Sequence, residues 1–360
     1  MTVQTPTAAD KPAAPKGGDA SARSRRNWAA ALSVRNIGSV YVLIVIIIVF
    51  SIWVPDTFPT WDTAKQVFNS YAITAMAALA LIVPLSARTF DLSFAYVMSL
   101  SGCVTAHFIV SNDMGILPAC LLGLGAALAV GIINGFVVVV MKIDSFIGTL
   151  ATGSLVQAFI TYFTGDTTIN DPRLGGTFAN IGQGEIGGIT YPVFYALGLA
   201  IIIWLFMEYA STGRRLYATG FNPEAARLAN IRIDRLRFCA LLSSSLISGF
   251  AGIVLASSLS AGSPSAGTGY LLPSFAAVFV GATQLKNGRF NAWGTILAIL
   301  MLGTGTIGLQ LATPSPWAPA MFTGVVLLVA LGATGFKRRS LREGRASGVL
   351  SRLRRSRTSE

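Results

Sequence analysis

The chain has 360 residues, of which 53% are hydrophobic and 12% are charged, and its mean hydropathy is +0.63. Soluble domains carry about twice this share of charged residues, so the composition excludes a soluble globular protein. It predicts an all-α polytopic membrane protein instead. The formal net charge of +12 is explained below by membrane topology, so we expect no nucleic-acid partner.

Windows of about 20 residues locate about ten transmembrane helices, with a range of eight to ten because the third and eighth are weak. In chain order the candidate spans are 37–54, 66–86, 91–110, 116–141, 145–164, 190–209, 236–258, 270–284, 291–312 and 317–335. Ten spans place both termini on the same side of the membrane. They also allow two inverted five-helix halves in which spans 3 and 8 are equivalent, although no residue-level repeat is visible.

The distribution of Lys and Arg assigns a side to each connection. With a cytoplasmic N-terminus, 25 of the 27 basic residues lie inside and only Lys65 and Arg173 lie outside. The positive-inside rule therefore predicts that both termini are cytoplasmic. We expect a multi-pass membrane protein.

Three regions follow from this assignment. Residues 1–35 are rich in Ala, Ser, Thr and Pro and predict a disordered basic cytoplasmic tail. Residues 36–336 form the transmembrane domain, which contains a cytoplasmic loop at 211–237. Residues 337–360 are a second basic cytoplasmic tail.

The 211–237 loop contains the signals of a short helix. Asn222 is a good N-cap, Pro223 suits the first helical position, and Glu224 in the first turn complements the helix dipole. A small apolar stripe follows, made of Ala225, Leu228 and Ala229. Such a helix can dock in a groove of another protein; the alternative is a solvated basic loop lying against lipid headgroups.

The sequence lacks the residues that several enzyme classes need. No lysine is preceded by glycine, so a Walker A phosphate loop cannot form and the chain cannot hydrolyse ATP in that way. His107 is the only histidine, which excludes multi-histidine metal sites and disfavours a histidine-based triad. We therefore expect no catalytic residues, no metal site and no cofactor bound by this chain.

An ion-coupled secondary transporter is the alternative to a subunit that depends on a separate energy source. Such carriers usually place acidic residues near the bilayer midplane. Asp91, Asp144 and Glu208 all lie near the predicted cytoplasmic ends of spans. Their positions disfavour this alternative without removing it.

Four motifs occur in an informative order. They are Asp91-Leu92-Ser93; Asn134-Gly135 with residues 146–152; the loop containing Glu224-Ala225-Ala226 and Asn230; and residues 267–270 leading into 281–295. The loop resembles the EAA loop of ABC-importer permeases, with Asn230 where most members have glycine. Together, from about residue 66 to 335, the motifs resemble the permease subunits of monosaccharide ABC importers of the ribose, xylose and galactose type.

The resemblance implies a multi-pass transport subunit of the bacterial inner (plasma) membrane that forms the translocation pathway for a monosaccharide or related polyol. It implies four further components: a separate ABC ATPase that hydrolyses ATP and is typically a fused tandem, a periplasmic solute-binding protein, a second permease copy in a homodimer, and a small hydroxylated substrate. The residues expected to couple to the ATPase are Gly213, Asn222, Pro223, Glu224, Ala225, Ala226, Leu228, Ala229 and Asn230. Arg88 and Thr89 replace two glycines usual in the family, which indicates a divergent branch.

A pathway for a sugar should be lined by modest polar and aromatic side chains, because the binding protein supplies the affinity. The candidates are Asn134, Thr149, Thr152, Gln157, Tyr162 and Gln310. For each, the alternative is an ordinary hydrogen bond to a neighbouring helix.

Overall fold

The computed structural model describes residues 34–283, 288–313, 315–329 and 332, with side chains from Val40 onward. The predicted basic tails lie outside the described residues, except for Val34 and Arg35, which begin the first helix.

Helices dominate the described part of the chain. Their bounds are α1 Val34–Trp53, α2 Trp61–Ser86, α3 Phe94–Ser111, α4 Ile116–Gly135, α5 Ser145–Thr164, α6 Ala179–Gln183, α7 Tyr191–Tyr209, α8 Ser211–Phe221, α9 Pro223–Leu228, α10 Ile233–Leu259, α11 Leu271–Thr283, α12 Ala292–Ala312 and α13 Trp317–Val329. A π-helix at Phe136–Val140 extends α4, and short 3₁₀ turns occur at Pro172–Leu174 and Thr268–Tyr270.

Four two-residue strands complete the described elements: β1 Ile169–Asn170, β2 Glu185–Ile186, β3 Ile189–Thr190 and β4 Ala261–Gly262. β2 and β3 form a small hairpin. β1 pairs antiparallel with β4, with Ile169 opposite Gly262, and so connects the segment after α5 to the segment after α10.

The prediction of an all-α polytopic membrane protein is confirmed. Among the described residues, seven helices are long and apolar enough to cross a membrane, and three further apolar segments are shorter. Each of the ten predicted spans coincides with one of these helices. The short helices α6 and α8 were not predicted, because brief helices leave no hydrophobic window in a sequence, whereas α9 was predicted from its capping signals.

Burial divides the long helices into central and peripheral groups. In the most apolar stretch of α2, 78% of residues are buried, compared with 28% in α7. α2, α3 and α10 pack against one another at the centre, while α4, α5 and α7 expose Leu, Ile and Phe side chains outward. Outward apolar side chains are what a lipid environment favours.

Close helix packing at the centre depends on small residues. A Cβ added at Gly131 of α4 would lie 3.0 Å from the Ser245 side chain of α10, and one added at Gly135 would lie 2.5 Å from the Phe238 ring. On α10, Gly252 lies directly against the backbone of Met98 on α3. Small residues let helix backbones approach when lipid supplies no hydrophobic drive for association.

The bundle has two chemically different ends. The basic end carries Arg88, Lys142, Arg289 and the 211–237 segment; there Lys142 Nζ forms an ion pair of 2.9 Å with Asp234 Oδ2. The acidic end carries the exposed residues Asp56, Asp62, Asp113, Asp166 and Glu185. The positive-inside rule assigns the basic end to the cytoplasm.

Candidate functional site

Residues 87–93, the first lead segment, connect α2 to α3 and enter the core from the basic end. Its second residue, Arg88, has φ 55°, a left-handed conformation that glycine adopts without strain. Further along, the Leu92 backbone N–H donates to Thr149 Oγ1 at 2.9 Å. The family glycines that Arg88 and Thr89 replace thus fall where the backbone takes a left-handed turn.

The depth of the first lead segment follows from its contacts with α5. Phe90 N donates to Ser145 Oγ at 3.0 Å, at the first turn of α5. Eight residues further along α5, a Cβ added at Gly153 would lie 3.3 Å from Ser93 Cα. At 1.5 Å per helical residue, the segment therefore rises about 12 Å into the bundle before α3 begins.

A buried polar cluster lies where this segment ends, and we refer to it as the Asp91 cluster. Ser93 Oγ donates to Asp91 Oδ1 at 2.6 Å and accepts a bond of 2.7 Å from Asn134 Nδ2 of α4. Ser244 of α10 faces the same carboxyl group. All four residues have no exposed surface. Asp91 therefore lies inside the bundle, deeper than the cytoplasmic end of a span where the sequence placed it.

Residues 260–267, the second lead segment, connect α10 to α11 and enter from the acidic end. It also begins with a non-glycine residue in the left-handed region, Ser260 at φ 49°. A Cβ added at Gly262 would lie 3.3 Å from Cys103 Cα on α3. At its other end Gly267 N donates to Ser99 Oγ at 2.9 Å and Gly267 packs on the backbone oxygen of Ala95. Cys103 and Ala95 are eight residues apart on α3, so the second lead segment also extends about 12 Å into the bundle.

The two lead segments support the predicted inverted halves. α2 runs toward the basic end and α10 toward the acidic end, and each is followed by a lead segment and a returning helix that starts within the bundle. The starts of these returning helices meet, since the rings of Phe94 on α3 and Phe275 on α11 are 5.9 Å apart. In transport proteins, paired discontinuous helices commonly mark the translocation region.

The six predicted pathway residues do not converge on one site. Asn134 and Thr149 are buried and bond to the first lead segment, while Thr152 donates to Gly148 O within its own helix at 3.0 Å. The other three are separate from these: Gln157 Nε2 lies 3.4 Å from Pro264 O in the second lead segment, and Tyr162 and Gln310 are exposed. Their role in a pathway remains a prediction.

The predicted short helix in the loop is present as α9. The Asn222 side chain caps it by accepting from Glu224 N at 3.1 Å and Ala225 N at 3.2 Å. The helix ends at Leu228, and Asn230 takes the left-handed conformation expected of it, with φ 58°. Leu228 is 91% exposed.

The stripe predicted on α9 therefore faces outward, since Ala225 and Ala229 are exposed as well. Ala226 lies on the opposite side of the helix and is buried. Beside α9 is an open pocket of about 350 Å³, lined by Arg227, Ile231, Arg232, Ile233, Asp234 and Arg235. The basic end thus presents a small exposed apolar surface on α9, next to cationic side chains.

Helix α8 supports α9 and joins it to three other helices. Gly213 packs on the backbone of Met207 in α7, and Gly220 packs on the backbone oxygen of Ser86 at the end of α2. Tyr217 Oη donates to Phe290 O, just before α12, at 2.7 Å. These contacts connect α8, and through it α9, to the ends of α2 and α7 and to the residues just before α12.

The aromatic residues of α8 also hold a cation. The Arg289 guanidinium lies 5.3 Å from the ring centroid of Tyr217 and 5.4 Å from that of Phe221. Burial, with Glu208 nearby, raises the pKa of Tyr217 to about 12, so the phenol also stays protonated in mildly alkaline solution and keeps its hydrogen bond there. A cleft of about 200 Å³ adjoins it, lined by Trp204, Met207, Glu208, Tyr217, Asn291, Ala292 and Trp293.

Sequence reasoning missed the serines that hold the lead segments. Ser99, Ser145 and Ser244 occur among many Ser and Thr residues in apolar spans, and nothing local distinguishes them. The Asp91-Leu92-Ser93 motif was visible, but its partners come from helices distant in sequence.

Comparison with known proteins places the chain in a family. A family model described as the branched-chain amino acid transport system / permease component matches residues 63–331. The ribose import permease protein RbsC of Bacillus subtilis (strain 168) is 29% identical over 298 residues, which cover 83% of this chain and 92% of the relative. The L-arabinose transport system permease protein AraH of Escherichia coli (strain K12) is 31% identical over 309 residues, with coverages of 85% and 92%.

A third relative is the probable ABC transporter permease protein y4mJ of Sinorhizobium fredii, 30% identical over 80% of this chain and 86% of the relative. No solved structure matches the chain. The family match spans about three quarters of the sequence and includes both lead segments and α9. The chain therefore belongs to this family of permease components, and it is a multi-pass transport subunit of the bacterial inner (plasma) membrane.

Proposed function

We propose that this chain is the membrane-spanning permease of an ATP-driven ABC importer for a monosaccharide or related polyol. The observation that carries the proposal is α9, which presents exposed apolar residues at the basic end and rests on α8. Exposed apolar surface is unfavourable in water, and its burial by a partner stabilises the complex. The partner is a separate ABC ATPase, which hydrolyses the ATP; this chain contributes no ATPase site and binds no cofactor.

The family description and the named relatives suggest different substrates. The description refers to branched-chain amino acids, whereas the named relatives with an assigned substrate import ribose or L-arabinose. Similarity along more than four fifths of the chain favours a sugar or polyol. Uptake assays with labelled ribose, L-arabinose and leucine test this choice, and transport of leucine alone would contradict it.

The remaining partners follow from the same proposal. Two copies of the chain form the pathway, and a periplasmic solute-binding protein delivers the substrate at the acidic end. The ATPase is a fused tandem protein, and each of its two halves binds the α9 of one permease copy. An ion-coupled carrier is the competing function, and it predicts uptake that persists without the ATPase and requires only an ion gradient.

Glu224→Arg tests the coupling surface. Glu224 is exposed and lies in the first turn of α9, so the substitution should leave insertion intact while placing a cation against the partner. We expect at least a tenfold loss of ATP-driven uptake and loss of ATPase co-purification. Glu185→Arg, an equally exposed site at the acidic end, is the matched control and should keep the ATPase bound. Normal uptake and ATPase binding in Glu224→Arg would refute the assignment.

A further inference from the structure

The open pocket beside α9 lies where that helix is followed by α10, and we refer to it as the arginine pocket. Its volume is about 350 Å³, and its lining consists of Arg227, Ile231, Arg232, Ile233, Asp234 and Arg235. Pockets of about 300–1,000 Å³ accept small molecules, so the arginine pocket has room for a compact ligand.

The arginine pocket is strongly cationic. Arg227, Arg232 and Arg235 are exposed, and their side chains form no ion pair and no hydrogen bond within the part of the chain that the structure describes. The one acid in the lining, Asp234, already bonds to Lys142 at 2.9 Å. Three guanidinium groups around the pocket are therefore available to an anion.

Two neighbouring arginines differ from these three, because their guanidinium groups hold the fold together. Arg88 Nη2 donates to Phe221 O at 3.0 Å, and Arg237 Nε lies 3.4 Å from Ala87 O. Arg237 is also within electrostatic reach of Arg227. Like charges thus lie close together at this end of the bundle, and an anion bound among them would offset their repulsion.

The turn that forms the pocket is held in one conformation by main-chain bonds. Asn230 N donates to Arg227 O at 2.9 Å, and Ile231 N donates to Ala226 O at 3.0 Å. On either side of the turn, Ala226 and Ile233 are buried. The pocket is therefore formed before a ligand arrives, which lowers the entropic cost of binding.

The arginine pocket adjoins an exposed apolar surface at the end of α4. Phe136, Val140 and Met141 are each more than half exposed, and this end of α4 packs on α10. Lys142 directly follows Met141 and bonds to Asp234 of the pocket lining. Apolar surface thus changes to cationic surface within a few residues, as a phospholipid changes from acyl chain to headgroup. An acidic protein surface would match the cations but not the apolar residues.

We propose that the arginine pocket binds the phosphate of an anionic phospholipid of the cytoplasmic leaflet, with the acyl chains along Phe136, Val140 and Met141. Guanidinium groups bind phosphate oxygens through paired, charge-assisted hydrogen bonds. The cytoplasmic leaflet contains anionic lipids, and basic pockets on that side of membrane proteins bind such headgroups. The bound lipid holds the turn between α9 and α10 at the membrane surface.

Lipid binding to the purified full-length chain tests the proposal. Native mass spectrometry compares phosphatidylglycerol with phosphatidylcholine of the same acyl chains, and we expect phosphatidylglycerol to bind roughly tenfold more tightly or better. Arg232→Gln and Arg235→Gln should each weaken its binding about fivefold, the loss expected for one cation beside an anionic lipid. Equal affinity for the two lipids would overturn the proposal. An unchanged unfolding midpoint in phosphatidylcholine shows that each variant is folded.

Arg215→Gln is the matched control. Arg215 lies in α8 at the same end of the bundle, is also exposed and carries the same charge, but it does not line the pocket. Its substitution should leave the affinity for phosphatidylglycerol unchanged. A loss as large as that in Arg232→Gln would show only the general attraction of a basic surface, and would contradict a specific site.

Two further measurements distinguish the source of the anion. Inorganic phosphate lacks acyl chains, so it should displace phosphatidylglycerol no better than chloride does at equal ionic strength; displacement at millimolar phosphate would indicate a site for a free anion and contradict the lipid. Arg232→Gln that kept its lipid affinity but lost ATPase co-purification would assign the pocket to the ATPase instead. Since the lipid measurements omit the ATPase, they stand or fall independently of the proposed transport function.

Discussion

The two lead segments reach the same depth from opposite ends of the bundle, and they differ in what holds them. The first, residues 87–93, is held by side chains: its backbone N–H groups donate to hydroxyls of α5, and Ser93 Oγ accepts a bond from Asn134 of α4. The second, residues 260–267, carries no charged residue. Side chains of Ser99, Gln157 and Gln183 bond to it and β4 pairs with β1, but its closest contacts are backbone packing at Gly262 and Gly267.

This difference shows two ways of placing irregular backbone inside a membrane protein. Backbone groups away from water need partners, which can be side chains inserted beside them or backbone brought close enough by glycine. Polar anchors give directional contacts that tolerate some change of shape. Glycine contacts leave no room at all, so the second segment should be the more sensitive to added volume.

Among the substitutions that compare the two segments, Gly267→Ala should cause the largest loss of stability. The new methyl group would meet the backbone oxygen of Ala95, which cannot move without displacing α3. We expect a destabilisation of about 3 kcal/mol or more, at the upper end for overpacked cores, or failure to fold. Gly269→Ala is the matched control, because nothing lies within 4 Å of its added Cβ. Unfolding in detergent and the yield of folded protein measure both variants, and equal stability would remove the distinction between the segments.

Thr149→Val should have an intermediate effect on the first segment. It removes the acceptor of the Leu92 N–H while conserving the shape of the side chain, and the buried N–H is left unsatisfied. We expect a loss of about 1–2 kcal/mol, since the other anchors remain. In Thr152→Val, the control, the lost bond runs only to Gly148 O of the same helix, and a change within about 0.5 kcal/mol is expected. The measurement is the free energy of unfolding, and a control that loses as much as Thr149→Val would contradict a specific anchor.

Asp171→Asn, at the acidic end where the second segment begins, should have the smallest effect on stability. The Arg173 guanidinium lowers the pKa of Asp171, the residue directly after β1, through a bond of 2.9 Å. Because the folded pKa lies below the unfolded value of about 3.9, the stabilisation is present above that pH and is lost as the pH falls through the folded pKa. Asp171→Asn should abolish this component of the acid dependence, measured as the unfolding midpoint between pH 5 and pH 3. Identical pH profiles would show that the pair contributes nothing.

Helix α9 illustrates what local sequence can predict. Its cap and first turn were predicted from Asn222, Pro223 and Glu224, and the structure confirms both. Asn230 takes the predicted turn conformation, but the helix ends at Leu228, earlier than the predicted helix 222–231. These signals act between residues that are neighbours in the chain, so no tertiary information is needed to read them. What α9 contacts in a complex stays a prediction.

The sequence by itself determined the membrane class, the ten apolar segments and the sidedness implied by charge, because hydrophobic length and Lys/Arg position are properties of the chain. It could not place Asp91 in the core or separate the exposed Tyr162 and Gln310 from the buried Asn134 and Thr149. Only the tertiary structure decided these points, since hydrogen bonds such as Asn134 to Ser93 join residues 41 positions apart. The depth of a lead segment likewise depends on the helices beside it.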